Sequence, residues 1–140
     1  MRDRQLSRKA RTLRYACAIV VSLAIAGVCG CGGGDRPPLG TVHGKITLDG
    51  KPLPRASVGF TPKGGGHEST GLTDDAGDYE LKYIRDVKGA KVGAHTVSVS
   101  TVHDRAGTTE TVPPRYNVKS TLQADVAAGD NVLNFDLTTN

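Results

Sequence analysis

Gly44-Lys45-Ile46-Thr47-Leu48-Asp49-Gly50-Lys51-Pro52-Leu53-Pro54-Arg55-Ala56-Ser57-Val58-Gly59-Phe60 is the stretch that decides the fold class. With Val42 and His43 just before it, the apolar residues Val42, Ile46 and Leu48 fall on one face of an extended chain, and His43, Lys45 and Thr47 on the other. Side chains in a strand alternate with a period of two, so this reads as a strand with one face buried. Asp49-Gly50 follows at once. Glycine tolerates the positive φ of a tight hairpin turn, and Asp-Gly between alternating runs signals such a turn. Pro52 and Pro54 restrict the return, and Ala56-Ser-Val58-Gly-Phe60 alternates again.

The same pattern continues downstream. Tyr79-Glu-Leu81-Lys-Tyr83 and His95-Thr-Val97-Ser-Val99-Ser100 alternate apolar with polar residues. His95 falls in phase with Val97 and Val99, which places it at the rim of the core. Leu122-Gln-Ala124-Asp-Val126 and Leu133-Asn-Phe135-Asp-Leu137 read as a final strand pair around Gly129-Asp130-Asn131. After residue 40 no segment of helical length shows a 3.6-residue period, and glycines and prolines, 18 and 7 in the whole chain, supply turns. Short alternating strands between turn signals predict an all-β chain, a single antiparallel β-sandwich.

Upstream the character changes. Arg2, Arg4, Arg8, Lys9, Arg11 and Arg14 precede an apolar run from Tyr15 to Val28. As a helix those 14 residues reach about 21 Å at ~1.5 Å each, short of a ~30 Å hydrocarbon core. A basic stretch before a short apolar core reads as a signal peptide over residues 1–30. Arg8 is followed by Lys9 rather than a second arginine, which favours the general secretory route over a twin-arginine one. The basic charge belongs to this leader: from Cys31 onward, 12 Lys+Arg face 13 Asp+Glu, a net charge of −1. No basic stripe with aromatics remains to grip phosphates, which excludes a nucleic-acid partner.

Val28-Cys29-Gly30-Cys31-Gly32 resembles a bacterial lipobox, with Val28 as the branched residue three before the cysteine and Gly30 immediately before it. Cys31 is the favoured lipidation site and Cys29 the alternative. A thiol is needed for thioether attachment of a diacylglyceryl group, and two or more chains at ~0.8 kcal/mol per buried methylene anchor stably. An ordinary cleaved signal and an uncleaved anchor are the competing readings. With Cys17 and Cys29 removed and Cys31 acylated, no disulfide staples the mature chain. Residues 31–40, rich in glycine and ending in Pro37-Pro38-Leu39-Gly40, read as a tether before a domain spanning 41–140. Gly32 after the cysteine, rather than aspartate, favours an outer-membrane address where a cell uses that sorting rule. The expected location is exported and lipid-anchored, at the outer membrane or the periplasmic or extracellular face.

Four motifs in order carry a family resemblance. Gly44-x-Ile46-x-x-Asp49-Gly50-x-Pro52-Leu53-x-x-Ala56-x-Val58-x-Phe60, Thr73-Asp74-Asp75-Ala76-Gly77-Asp78-Tyr79, Gly93-Ala94-His95-Thr96-Val97 and Gly129-x-Asn131-x-x-Asn134-Phe135-x-Leu137 together resemble a carboxypeptidase regulatory-like domain. The resemblance covers residues 41–137. It implies a prealbumin-like, Ig-like sandwich of about seven strands, accessory to a separate zinc enzyme in the proteins that name the family. No catalytic domain accompanies it here, so it implies no peptidase activity.

Candidate chemistry is sparse. Asp74, Asp75 and Asp78 do not alternate as calcium ligands, because Ala76 interrupts them; Asp74 and Gly77, like Asp49 and Gly50, read as turn residues. His43, His67, His95 and His103 lack metal-ligand spacing. No nucleophile elbow frames Ser, His and Asp. A transthyretin-like hydrolase ends in a Tyr-Arg-Gly-Ser type tail, which Asn134-Phe-Asp-Leu-Thr-Thr-Asn140 does not match. No catalytic residue, metal or cofactor is expected. The loops at 62–71 and 103–119 are the longest, and Arg115 and Tyr116 in the second are candidate partner contacts, unless Pro113-Pro114-Arg115-Tyr116 simply packs that loop. The expected function is non-catalytic: a lipid-anchored sandwich contacting an envelope protein. A glycan or cell-wall module depending on Tyr116 is one alternative, and a degenerate transthyretin-like hydrolase another.

Overall fold

The structure, a computed structural model, describes residues 36–102 and 109–140. The expected signal peptide, Cys29, Cys31 and His103 lie outside the described residues. Ten strands form in chain order: β1 (Leu39–Leu48), β2 (Lys51–Pro52), β3 (Ser57–Pro62), β4 (Ser69–Leu72), β5 (Asp78–Glu80), β6 (Ala90–Lys91), β7 (Gly93–Ser100), β8 (Gln123–Val126), β9 (Gly129–Val132) and β10 (Phe135–Leu137). The chain is all-β as expected. Among the described residues the sole helical element is a 3₁₀ turn, Pro114–Tyr116. Two sheets pack as a sandwich around one core.

The first sheet is organised by β1. Its ten residues are long enough to be shared end to end. On one side it pairs antiparallel with β6 at Leu39–Gly40, with β5 at His43–Lys45 and with β2 at Thr47–Leu48. On the other side β9 and β10 run parallel to it, Gly40 to His43 opposite Gly129 to Val132 and Ile46 to Leu48 opposite Phe135 to Leu137. The second sheet, β4-β3-β7-β8, is antiparallel throughout. Division of β1's edges among five short partners gives ten strands where about seven were expected.

One pairing expectation is corrected. Residues 122–126 and 133–137 do not pair with each other. β8 completes the second sheet on β7, whereas β10 lies beside β1 in the first. Gly129, with φ of +94°, turns the chain between the sheets, and the Asn131 side chain ties the crossing by donating to Thr41 O and Ala127 O. β1 begins ahead of residue 41, with Leu39 and Gly40 already part of it. A Cβ on Gly40 would collide with the Ala127 carbonyl, so the close approach of the crossing strand requires glycine there.

The inward residues are those the alternation selects. Val42, Ile46, Val58, Phe60, Leu81, Val97 and Val99 are fully buried, with Tyr79, Val112, Val126 and Leu137 nearly so. The Phe60 ring is central, 6.5 Å from Tyr79, 6.1 Å from Phe135 and 5.7 Å from His95. Tyr79 carries its hydroxyl to Leu133 O at 2.7 Å, and burial pushes its pKa up. His95 lies deeper than the rim position expected. It is 1% exposed; Nδ1 donates to Gly93 O at 2.9 Å, and Nε2 has no partner among the described residues.

Candidate functional site

The four turn residues singled out by sequence are structural in the positions they occupy. Asp49 and Gly50 have φ of +50° and +77°, the paired positive values of a two-residue hairpin between β1 and β2. Asp49 also accepts from the Thr139 amide (2.9 Å) and hydroxyl (2.8 Å), which hold its carboxyl below the ordinary range. Asp74 Oδ1 accepts from the amides of Ala76 and Asp78, both at 2.9 Å. Gly77 at φ +78° makes the reversal, and its amide bonds Asp74 O at 3.0 Å. Asp78 faces Lys45 at 3.3 Å. Among the described residues, no three His, Cys, Asp or Glu side chains converge to hold a metal ion.

The second long loop behaves differently. Its described part, residues 109–122, returns along the end of β7. Glu110 holds it there: Oε2 accepts from Ser100 Oγ (2.6 Å), and Oε1 from Thr101 N (3.0 Å), Thr101 Oγ1 (2.8 Å) and Val112 N (3.0 Å). Desolvation raises the carboxyl pKa, but these four bonds outweigh it and bring it down to about 2. Val112 then inserts into the core. Arg115 and Tyr116 follow in the 3₁₀ turn and bind the chain's last residues. The guanidinium stacks 5.0 Å from the Tyr116 ring and donates to Thr138 O (2.6 Å), Thr138 Oγ1 (3.2 Å) and Asn140 O. The Tyr116 hydroxyl meets Thr138 Oγ1 at 3.4 Å, and the ring packs on the core. Arg115 Nη2 and the Tyr116 hydroxyl are thus engaged within the domain.

What stays open is beside them. A groove of about 1010 Å³ lies between the outward face of β7 and the 110–118 segment, with Ser98 and Ser100 on its floor and Val102, Pro113, Asn117 and Val118 among its walls. Val118 is 86% exposed and Val102 46%, leaving aliphatic side chains without cover at its margins. The sequence pointed to this loop but not to Glu110, which shapes it. An acidic residue before Thr-Val-Pro-Pro carries no local sign that it bonds Ser100 and Thr101, ten and nine residues upstream.

The pole of the domain at which this groove opens follows from strand direction. β1 enters at Leu39, next to Val92 (whose amide bonds Pro38 O) and the β8–β9 crossing. It leaves at Leu48, next to Leu137 and Thr139. β7 runs from Gly93 at the first pole to Ser100 at the second. The groove therefore lies at the exit pole, about 30 Å of strand from the entry at ~3.3 Å per residue over β1.

The three described histidines lie apart from one another. His43 sits on the outer face of the first sheet, 3.3 Å from Asp130; His67 lies in an exposed loop against the Tyr83 ring; His95 is in the core. Among the described residues, no helix is long and apolar enough to cross a membrane. No protein-family model matches the chain, and no curated protein matches it.

Proposed function

We propose that this chain is an exported lipoprotein, acylated at Cys31, whose sandwich is a non-catalytic contact domain for a protein of the cell envelope. The observation that supports this reading best is the opposition of the two poles. The tether enters at one end of β1, and a groove of about 1010 Å³, rimmed by uncovered Val102 and Val118, opens at the other. An anchor at Cys31 holds the entry pole toward lipid and presents the groove outward. The basic leader, the short apolar run and Val28-Cys29-Gly30-Cys31 supply the anchoring half of the reading. The likeness to a carboxypeptidase regulatory-like domain belongs to the same proposal, and the two-sheet architecture is compatible with it. The glycan alternative relied on Tyr116 as an exposed platform, and that side chain is engaged with Thr138 and Arg115.

A photocrosslinking residue at Val118 or Val102 of the full chain, with Thr41 on the outer face of β1 as control, tests the contact half in intact cells. Discrete crosslinks from the two groove positions but not from Thr41 are expected. Equal crosslinking from Thr41 would remove the case for a contact pole.

A further inference from the structure

Across the second sheet from the groove lies a surface of different chemistry. The outward residues Leu72, Ser57 and Ser100 form one cross-strand row over β4, β3 and β7. Ser100 ends that row in the groove already described. Leu72 and Ser57 end it in a separate cavity of about 560 Å³, whose lining includes Thr70, Glu80, Lys82, Tyr83 and Arg85. The cavity is closed on one side by a tight turn, fixed by Tyr83 N to Val87 O at 2.7 Å and Val87 N to Ile84 O at 3.1 Å.

Arg85 stands in that turn at φ +54°, a left-handed conformation that glycine or asparagine takes more easily. Its guanidinium makes no hydrogen bond or ion pair among the described residues. The surrounding charges cancel in pairs: Lys82 with Asp86 at 3.3 Å, and Lys88 with Glu80 at 2.9 Å. The charge left over is Arg85's, and it is positive. Beside it the cavity offers the hydroxyls of Ser57 and Thr70 and the uncovered side chain of Leu72 (59% exposed), and Ile84 (40% exposed) stands uncovered in the turn, outside that lining.

We infer that this cavity and its turn form a docking site for an acidic, partly apolar extended segment of a partner protein. A carboxylate of the segment takes the Arg85 fork, and aliphatic residues on either side of it cover Leu72 and Ile84 separately. Charge complementarity selects the acidic group, since the uncancelled charge of the site is one cation with donors in a planar fork. The apolar flanks select a protein segment over a free anion, which would leave Leu72 and Ile84 in water. Continuity through the Leu72–Ser57–Ser100 row lets one partner span both openings. This inference rests on the contact-domain reading but not on the anchor.

The test is an NMR titration of the full-length chain with three probes: an acetylated Leu-Glu-Leu-Glu-Leu peptide, its Leu-Lys-Leu-Lys-Leu counterpart, and sodium acetate. The acidic peptide is expected to move the Arg85 side-chain signal with the Leu72 and Ile84 methyls. Arg85→Gly is expected to weaken that binding at least about tenfold while the thermal midpoint holds or rises, because glycine relaxes the turn. Arg85→Lys is expected to retain part of the affinity. Equal binding by Arg85→Gly, an equal response to the lysine peptide, or the same response to acetate alone would each overturn the inference. Loss of crosslinking at Val118 with peptide binding intact would instead count against the contact pole alone.

Discussion

Replacing Glu110 by glutamine removes the charge that joins the end of β7 to the returning loop, and the structure sets both the size and the pH range of the effect. The Glu110 carboxyl falls from an ordinary 4.5 to about 2 on folding. At ~1.36 kcal/mol per pKa unit, that difference has a ceiling of about 3 kcal/mol. The group is only partly buried and solvent screens it, so about 1–2 kcal/mol is the working figure. The sign follows from the direction of the shift. A depressed folded-state pKa contributes stability that is fully present above about 4.5 and is lost as pH falls through about 2. Urea titrations of wild type and Glu110→Gln, followed by circular dichroism at several pH values, read this directly. The variant is expected to be less stable by about 1–2 kcal/mol at neutral pH, with the gap closing toward pH 2. Asp49 also titrates low, so the comparison is between the two proteins and not within one. A gap that stays constant over this range would refute the carboxylate clamp.

Four further substitutions test the frame. Thr73 is buried; its hydroxyl accepts from Ala56 N and donates to Leu53 O, both at 2.7 Å, so Thr73→Val strands two backbone groups. A loss of about 2–4 kcal/mol in a urea titration is expected. Gly77→Ala is expected to cost more than Gly50→Ala, although φ is +78° and +77° at the two sites, because a Cβ at 77 meets Ile46 O at 2.6 Å and one at 50 meets nothing within 4 Å. Conformation alone accounts for about 1–2 kcal/mol in each, and paired thermal melts show the excess at 77. Asp74→Ala removes a side-chain cap worth about 1 kcal/mol, and added calcium is expected to leave the wild-type melting temperature unchanged.

The fold class was legible because the alternation is local: Val42, Ile46, Val58, Phe60, Val97 and Val99 occupy the core face that their spacing assigns. The Asp49-Gly50 hairpin was legible for the same reason, since the turn is decided by its own two residues. Pairing was not. Residues 122–126 and 133–137 alternate equally well whether they meet each other or separate partners. The crossing between sheets depends on Asn131 and Gly40, ninety-one positions apart along the chain. Strands as short as β2 and β6 leave too few residues for a period to show. At the candidate site the sequence pointed to the 103–119 loop and to Arg115 and Tyr116. It did not show that both side chains bind Thr138, nor that Glu110 and Thr73 carry polar networks, part-buried at Glu110 and buried at Thr73. Those roles come from long-range contacts that no local pattern announces.

Anchoring is the central claim, and the intact mass and membrane partition of the full chain, compared with Cys31→Ser and Cys29→Ser, test it most directly. The account predicts a wild-type protein that is membrane-bound, cleaved before Cys31 and heavier than that peptide by its acyl groups. It predicts loss of all three features in Cys31→Ser and their retention in Cys29→Ser. Unchanged mass and unchanged membrane partition in Cys31→Ser would contradict it.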